Sequence, residues 1–87
     1  MKIKKRDGLY VSGTHGGYQF QAKVYDEGSM FGIDAGRVSK LSIWLEKNHH
    51  TVYNYDRGYD VNPETAEELE IVRTIILALE RLPKLWS

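Results

Sequence analysis

Apolar and polar residues alternate along two central segments of the chain, and this pattern predicts β-strands. Alternation with a period of two is typical of a strand that has one buried and one wet face. In the first segment, residues 18–25, the apolar face comprises Tyr18, Phe20, Ala22 and Val24. In the second segment, residues 38–45, one face comprises Leu41, Ile43 and Leu45, and the other comprises Val38, Lys40, Ser42 and Trp44.

Two shorter segments, residues 9–13 and 51–55, contain β-branched and aromatic residues and complete a predicted set of four strands. The glycine-rich sequence SGTHGG and the polar sequence KNHH stand between strands and predict turns. The basic first seven residues contain one apolar side chain beyond the initial methionine, Ile3, and we expect them to pair only loosely with the sheet. The predicted sheet therefore covers about residues 9–56.

The segment that follows residue 62 has a helical pattern. Its apolar residues recur at spacings of three and four, at Ala66, Leu69, Val72, Ile76 and Leu79. Two starts are open: Asn62 can cap the helix with Pro63 at the first helical position. Alternatively, Thr65 and Glu68 form a capping box. Pro83 ends the pattern, so the helix is predicted over about residues 63–82.

Short connections between successive strands predict an antiparallel meander. The expected fold class is α+β, a four-stranded antiparallel meander sheet with one C-terminal helix packed on one face. At 87 residues the chain is too short for two cores, which predicts a single domain over residues 1–87. The sequence has no cysteine, so an apolar core or a second subunit must stabilise it, and a homodimer stays open.

The charges balance, with twelve Lys and Arg residues against twelve Asp and Glu residues. A duplex-binding protein usually carries a basic excess and a DNA mimic an acidic one, so the balance argues against both. The tyrosines resemble in composition a stacking platform for single strands, but the signature of that platform is absent. No segment approaches the ~20 apolar residues of a membrane span, and no signal peptide is visible. We therefore expect a cytoplasmic protein that has no membrane association.

Two sequence blocks are distinctive: KVYDEGSMFGIDAGRVSKLSIW, residues 23–44, and VYNYDRGYD, residues 52–60. They resemble a family of small uncharacterised proteins from Firmicutes, their phages and prophages. Its members carry Y-(D/E)-E-G-S-x-(F/Y)-G-I-x-x-G-(R/K)-(I/V)-S-K-L and N-Y-D-R-G-(W/Y)-D. The resemblance covers about Lys23 to Leu79, with departures at Ala35, where glycine is common, and at Tyr59, where tryptophan is common.

The family has no established activity, so the resemblance implies a phage or mobile-element setting rather than a chemistry. In that setting it implies a non-enzymatic interaction domain that binds a protein partner in the host cytoplasm, such as an inhibitor of a bacterial immune effector like CRISPR-Cas. One alternative is a protein that binds or sequesters a nucleotide or phosphate through Arg37, Lys40 and Arg57. A second alternative is a structural, homo-oligomerising domain with Trp44 or Trp86 buried between subunits.

The candidate binding residues form two groups. In the glycine-punctuated loop they are Glu27, Ser29 and Phe31. On the strands and the corner that follows they are Arg37, Lys40, Trp44, Tyr55, Asp56, Arg57, Tyr59 and Asp60. We further expect an aromatic patch on the open sheet face, formed by Tyr25, Trp44 and one of Tyr53 or Tyr55. Both blocks also have a structural interpretation, in which glycines and Asn or Asp side chains satisfy turn geometry.

No catalytic motif is present. Hydrolytic carboxylate pairs need a shared cleft or a metal, and nothing in the sequence places its acids together. The three histidines, His15, His49 and His50, fall in predicted turns and offer a poor chelate. The sequence therefore predicts no enzymatic activity, no cofactor and no metal site.

Overall fold

A computed structural model describes residues 1–56 and 58–84, and at residues 59 and 60 it describes the backbone only. Within these residues, six strands form one antiparallel sheet in chain order. The elements are β1 (Lys2–Asp7), β2 (Tyr10–His15), β3 (Tyr18–Val24), β4 (Val38–Leu45), β5 (Thr51–Asp56), β6 (Tyr59–Val61) and the helix α1 (Ala66–Glu80). The predicted α+β class, antiparallel sheet and C-terminal helix are confirmed.

The predicted number of four strands is wrong. Five strands contain six to eight residues, and the three-residue β6 extends the sheet at one edge. At the other edge, β1 pairs with β2 although most of its side chains are polar, with Arg6 opposite Val11. The backbone supplies the hydrogen bonds of an edge strand, so charged side chains do not oppose pairing, and lysines there discourage further strands from adding.

The core lies between one face of the sheet and α1. The predicted apolar face of β3 is buried, and the helix contributes Val72, Ile75 and Leu79 to the same cluster. These three positions follow the spacing of three and four that places side chains on one helical face. Burial of this apolar surface is the main driving force available to a chain without disulfides.

A β-bulge changes the facing of β4. Lys23 pairs with Lys40 and the next residue, Val24, pairs with Val38, so Ser39 is an extra residue on β4. Because of this extra residue, Val38 turns to the core, where it is fully buried. The prediction that Val38 shares the open face with Lys40 is therefore wrong.

The last tyrosines of β5 also lie on the core side. Tyr53 pairs with Ile43 and Tyr55 pairs with Leu41, and all four residues are buried. Residues directly opposite each other on antiparallel strands project to the same face. The expectation that one of these tyrosines joins an aromatic patch on the open face is wrong.

The helix begins at the second of the two predicted starts. Thr65 is the N-cap, and its Oγ1 accepts a hydrogen bond of 3.1 Å from the backbone N–H of Glu68. The Glu68 carboxylate in turn accepts from the N–H of Glu64 at 2.9 Å. The helix is thus shorter at both ends than predicted. In the part of the chain that the structure describes, no helix is long and apolar enough to cross a bilayer.

Candidate functional site

The sheet face opposite α1 carries a row of polar and aromatic side chains. The register aligns Tyr10, Lys23, Lys40 and Asp56 across β2 to β5. Lys40 Nζ lies 3.9 Å from Asp56 Oδ1 at an exposed position. Lys23 Nζ lies 5.7 Å from the ring centroid of Tyr10 and 5.2 Å from that of Tyr25. A carboxylate and two rings therefore offset the repulsion between two lysines that face each other.

The loop between β3 and β4 folds back on itself. Ser29 N–H donates to the Gly36 carbonyl at 3.1 Å, and Gly32 N–H donates to the Ser29 carbonyl at 3.0 Å. A Cβ at Gly32 would overlap the Gly36 carbonyl, and one at Gly28 would lie 2.6 Å from the Ala35 carbonyl oxygen. The regularly spaced glycines thus allow close backbone approach within the loop, which favours their structural interpretation.

A reciprocal pair of side chains fixes this loop to the end of α1. The Glu80 carboxylate accepts from the backbone N–H of Arg37, at 2.9 Å to each oxygen, and from that of Val38 at 3.2 Å. The Arg37 guanidinium donates to the carbonyls of Glu80 (2.8 Å), Leu82 (2.6 Å) and Tyr25 (2.8 Å). A cation at the C-terminal end of a helix is also favoured by the helix dipole. We call this arrangement the Arg37–Glu80 brace.

The brace changes the role expected for Arg37. Its Nη1 donates to two carbonyls at the helix end and its Nε to the Tyr25 carbonyl, so these two nitrogens are used within the fold and not for a ligand shared with Lys40. Gly36 belongs to the same arrangement, because a Cβ there would overlap the Glu80 carboxylate. Arg37 is therefore an architectural residue of this fold.

The tip of the loop exposes two large apolar side chains, Met30 at 84% and Phe31 at 56%. The Phe31 N–H donates to Ser29 Oγ at 3.2 Å, and the Phe31 carbonyl accepts from the Tyr55 hydroxyl at 2.9 Å. The backbone is thus held from within while the side chains point outward. Tyr55, which was expected to bind a partner, is buried and supports this tip.

A cleft of about 670 Å³ lies between the loop and the sheet. Its apolar lining comes from Leu9, Tyr25 and Phe31. Its polar lining includes Lys23, Ser39 and Lys40 from the strands, and Asp26, Glu27 and Ser29 from the loop. A mostly apolar concavity with a few polar groups is the usual form of a small-molecule site. The structure therefore brings together four of the predicted residues, namely Glu27, Ser29, Phe31 and Lys40.

Lys23 was not predicted as a site residue, and it lines the cleft together with Ser39. Ser39 is the extra residue of the β-bulge, and its Oγ lies 3.5 Å from the carbonyl oxygen of Lys23. That distance is at the outer limit of a hydrogen bond. Lys23 occupies a polar position of an alternating strand. This position predicted that its side chain is exposed, but it could not predict that Lys40 lies opposite it on the next strand.

Two of the predicted residues, Glu27 and Trp44, have partners that do not line the cleft. Glu27 forms an exposed ion pair of 2.7 Å with Lys84. Trp44 is half-buried, and its Nε1–H donates to Gln19 Oε1 at 3.1 Å. Trp44 is four residues from Lys40 along β4, roughly 13 Å at the rise of a strand, so it does not line the cleft.

Several predictions concern residues that are not fully described. Arg57 and Trp86 lie outside the described residues, as do the side chains of Tyr59 and Asp60. Within residues 1–56 and 58–84, no three His, Cys, Asp or Glu side chains come together as metal ligands would.

One ionisable group at the far end of β3 is perturbed. Burial raises the pKa of the Tyr18 phenol above its usual 10.0, and the negative charges of Glu67 and Glu68 raise it further. Tyr18 begins the strand that ends at the cleft, so it contributes to the core rather than to the site.

Comparison with known proteins gives a family without an assigned activity. The model of a domain of unknown function, DUF7678, matches residues 9–80. The match begins after β1 and ends at the last residue of α1, so it contains the loop, the brace and the cleft. No curated protein and no solved structure matches the chain significantly.

Proposed function

This chain belongs to the DUF7678 family, and we propose that it is a non-enzymatic domain that binds a protein partner through the tip of the β3–β4 loop. The observation that carries this proposal is the exposure of Met30 and Phe31 on an internally bonded backbone. Methionine and aromatic residues are enriched at protein interfaces, and aromatic anchors often supply much of the binding energy.

The loop is suited to binding because little of it must be ordered when a partner arrives. The Arg37–Glu80 brace and the bond from Tyr55 to the Phe31 carbonyl hold the tip in the free protein. Side chains presented on a fixed backbone lose less conformational entropy on association than those of a mobile loop. The adjacent open face, with Lys40 and Asp56, would supply the polar rim of the interface.

The partner class that we propose is a bacterial immune effector, for example a CRISPR-Cas component. The support for this class is the resemblance of residues 23–44 and 52–60 to proteins of phages and prophages. In this proposal the chain acts by occupying a surface of the effector and changes no covalent bond.

The test is a pull-down from a bacterial host lysate with the tagged chain, followed by titration of the purified partner. We expect a stoichiometric partner whose affinity falls at least ten-fold when Met30 and Phe31 are both replaced by alanine. Leu77→Ala is the matched control, because Leu77 is an apolar residue that is 58% exposed on α1. Recovery of no stoichiometric partner, or equal affinity of the wild type and the double variant, would contradict the proposal.

The geometry gives less support to the two alternative functions, a phosphate site and a homo-oligomer. The phosphate site built on Arg37, Lys40 and Arg57 loses Arg37 to the brace, and Arg57 lies outside the described residues. The homo-oligomer hypothesis stays a prediction, and Trp44 already has a partner within the monomer. Light scattering over a hundred-fold range of concentration tests it, since assembly predicts a size that rises with concentration.

A further inference from the structure

We infer that the cleft between the β3–β4 loop and the sheet binds a small organic anion, in which one carboxylate or phosphate is attached to an aromatic or apolar group. The inference goes beyond the proposed protein partner, because it concerns the concave surface behind the loop tip and needs no macromolecule. It is based on the size of the cleft, on two lysines at its base and on a weakly bonded serine.

The cleft has the dimensions of a ligand site. Its volume of about 670 Å³ lies within the range of roughly 300–1,000 Å³ that is typical of small-molecule pockets. Leu9, Tyr25 and Phe31 supply an apolar wall with two rings. An aromatic or branched apolar group of a ligand can pack against this wall, as rings pair in offset or edge-to-face geometry.

The two lysines give the cleft a preference for an anion. Lys23 and Lys40 stand directly opposite each other on neighbouring strands, an arrangement in which like charges repel. The ion pair of Lys40 with Asp56 is long, 3.9 Å, and exposed, so it contributes little. An anionic group that enters the cleft near the two ammonium groups would be attracted by both charges.

Ser39 adds a hydroxyl at the same place. Ser39 as a residue is only 5% exposed, and the one described bond of its side chain, to the Lys23 carbonyl, is 3.5 Å long. A hydroxyl that is bonded so weakly can rotate and donate to an anion at little cost. The β-bulge places it beside Lys40, and bulges are frequent next to functional sites, where they redirect side chains.

The acidic residues of the loop limit which anions fit. Asp26 and Glu27 also line the cleft, so the formal charges of these two carboxylates and of the two lysines sum to zero. The several negative charges of a nucleoside triphosphate are repelled by these carboxylates more strongly than the charge of a ligand with one anionic group. We therefore expect discrimination against polyphosphates.

The experiment is an NMR titration of the ¹⁵N-labelled chain with phenyl phosphate. Inorganic phosphate and benzyl alcohol are separate arms that present the anion or the ring alone, and ATP is the polyanionic arm. We expect saturable shifts of the amides of Lys23, Ser39 and Lys40, with a Kd for phenyl phosphate at least five-fold below that of each other arm. No saturable shift, or an equal Kd for inorganic phosphate, would overturn the inference.

Charge variants test whether the two lysines hold the anion. Lys23→Gln and Lys40→Gln should each raise the Kd for phenyl phosphate at least five-fold, and Ser39→Ala should raise it about two-fold. Lys47→Gln is the matched control, because it removes the same charge from an exposed turn at the other end of β4. Retained amide spectra show that each variant is folded. An equal effect of Lys47→Gln would indicate attraction by net charge alone and would contradict the site.

Discussion

The Arg37–Glu80 brace and the base of the cleft are built from cations only a few residues apart in sequence, yet the fold uses them differently. Arg37 donates to three backbone carbonyls, and its backbone N–H is bonded by Glu80. Lys40 has one described contact, at 3.9 Å to an exposed carboxylate. One cation is fixed by short hydrogen bonds inside the fold, while the other is held loosely beside a cleft.

This contrast separates cations that stabilise the fold from cations that are available for binding. A cation that is held by several short hydrogen bonds contributes to stability, because its loss leaves its acceptors unsatisfied. A loosely held cation beside a concave surface contributes little to stability and can bind something else. The two regions should therefore separate in experiments, with stability effects at the brace and binding effects at the cleft.

The largest effect is expected from Gly32→Ala. The added Cβ overlaps the Gly36 carbonyl, which is backbone and cannot move without opening the loop. We expect a loss of about 3 kcal/mol in the free energy of unfolding, measured by urea denaturation. Gly58→Ala is the matched control, because a Cβ there meets no atom within 4 Å. Equal stability of the two variants would mean that the loop is not packed as described.

Glu80→Gln tests the carboxylate half of the brace. Glu80 Oε2 accepts from the backbone N–H groups of both Arg37 and Val38, and Oε1 accepts a second time from Arg37. The amide of Gln replaces one of these oxygens with an NH2 donor, which is left facing the Arg37 N–H without an acceptor, and it removes the charge from the remaining bonds. An unsatisfied donor costs about 1–3 kcal/mol, and we expect a loss near 2 kcal/mol. Glu70→Gln, at an exposed position of α1, should change the free energy of unfolding by less than about 0.5 kcal/mol. A loss as large in Glu70→Gln would contradict the role of Glu80.

The cationic half of the brace can be compared directly with the cleft. Arg37→Lys keeps the charge but cannot reach three carbonyls in a planar fork, so we expect a loss of about 1–2 kcal/mol. Lys40→Gln should change the free energy of unfolding by no more than about 0.5 kcal/mol. Denaturation of both variants in the same buffer checks the difference. If Lys40→Gln were the more destabilising, the assignment of the two regions would be reversed.

The smallest effect concerns pH and lies far from both regions. Because the pKa of Tyr18 is raised in the folded state, the neutral phenol is favoured by folding. Its contribution to stability is fully present below the unfolded value of about 10 and is lost as the pH rises through the folded value. Tyr18→Phe should therefore lose less stability than the wild type between pH 8 and pH 11. If the free energies of unfolding of the two proteins fell in parallel with pH, ionisation of Tyr18 would not contribute to the loss of stability at alkaline pH.

Local patterns were sufficient for much of the fold. The alternation in residues 18–25 predicted the buried face of β3, and the capping box identified one of the two helix starts correctly. The edge strand β1 was not predicted, because it depends on backbone hydrogen bonds and carries Lys2, Lys4 and Lys5 rather than an apolar pattern. The bulge at Ser39 was not predicted either, since one extra residue reverses the facing of Val38 without any compositional signal.

The candidate site was predicted only in part. The loop residues Ser29 and Phe31 lie at the site. They could be predicted because the glycine-rich connection between two strands was visible in the sequence. The role of Arg37 was not visible, because its partner Glu80 is 43 positions away and is brought near by the packing of α1. Tyr55 was misplaced for a related reason: pairing with Leu41 turns it to the core.

The most direct test of this account is amide hydrogen exchange at Arg37 and Val38, measured by NMR in the wild type and in Glu80→Ala, which removes both accepting oxygens. We expect slow exchange of both amides in the wild type, because Glu80 accepts from them. In the variant both amides should lose this protection, while the core amide of Phe20 stays protected. Fast exchange of the Arg37 and Val38 amides in the wild type, at the rate of an unprotected peptide, would contradict it.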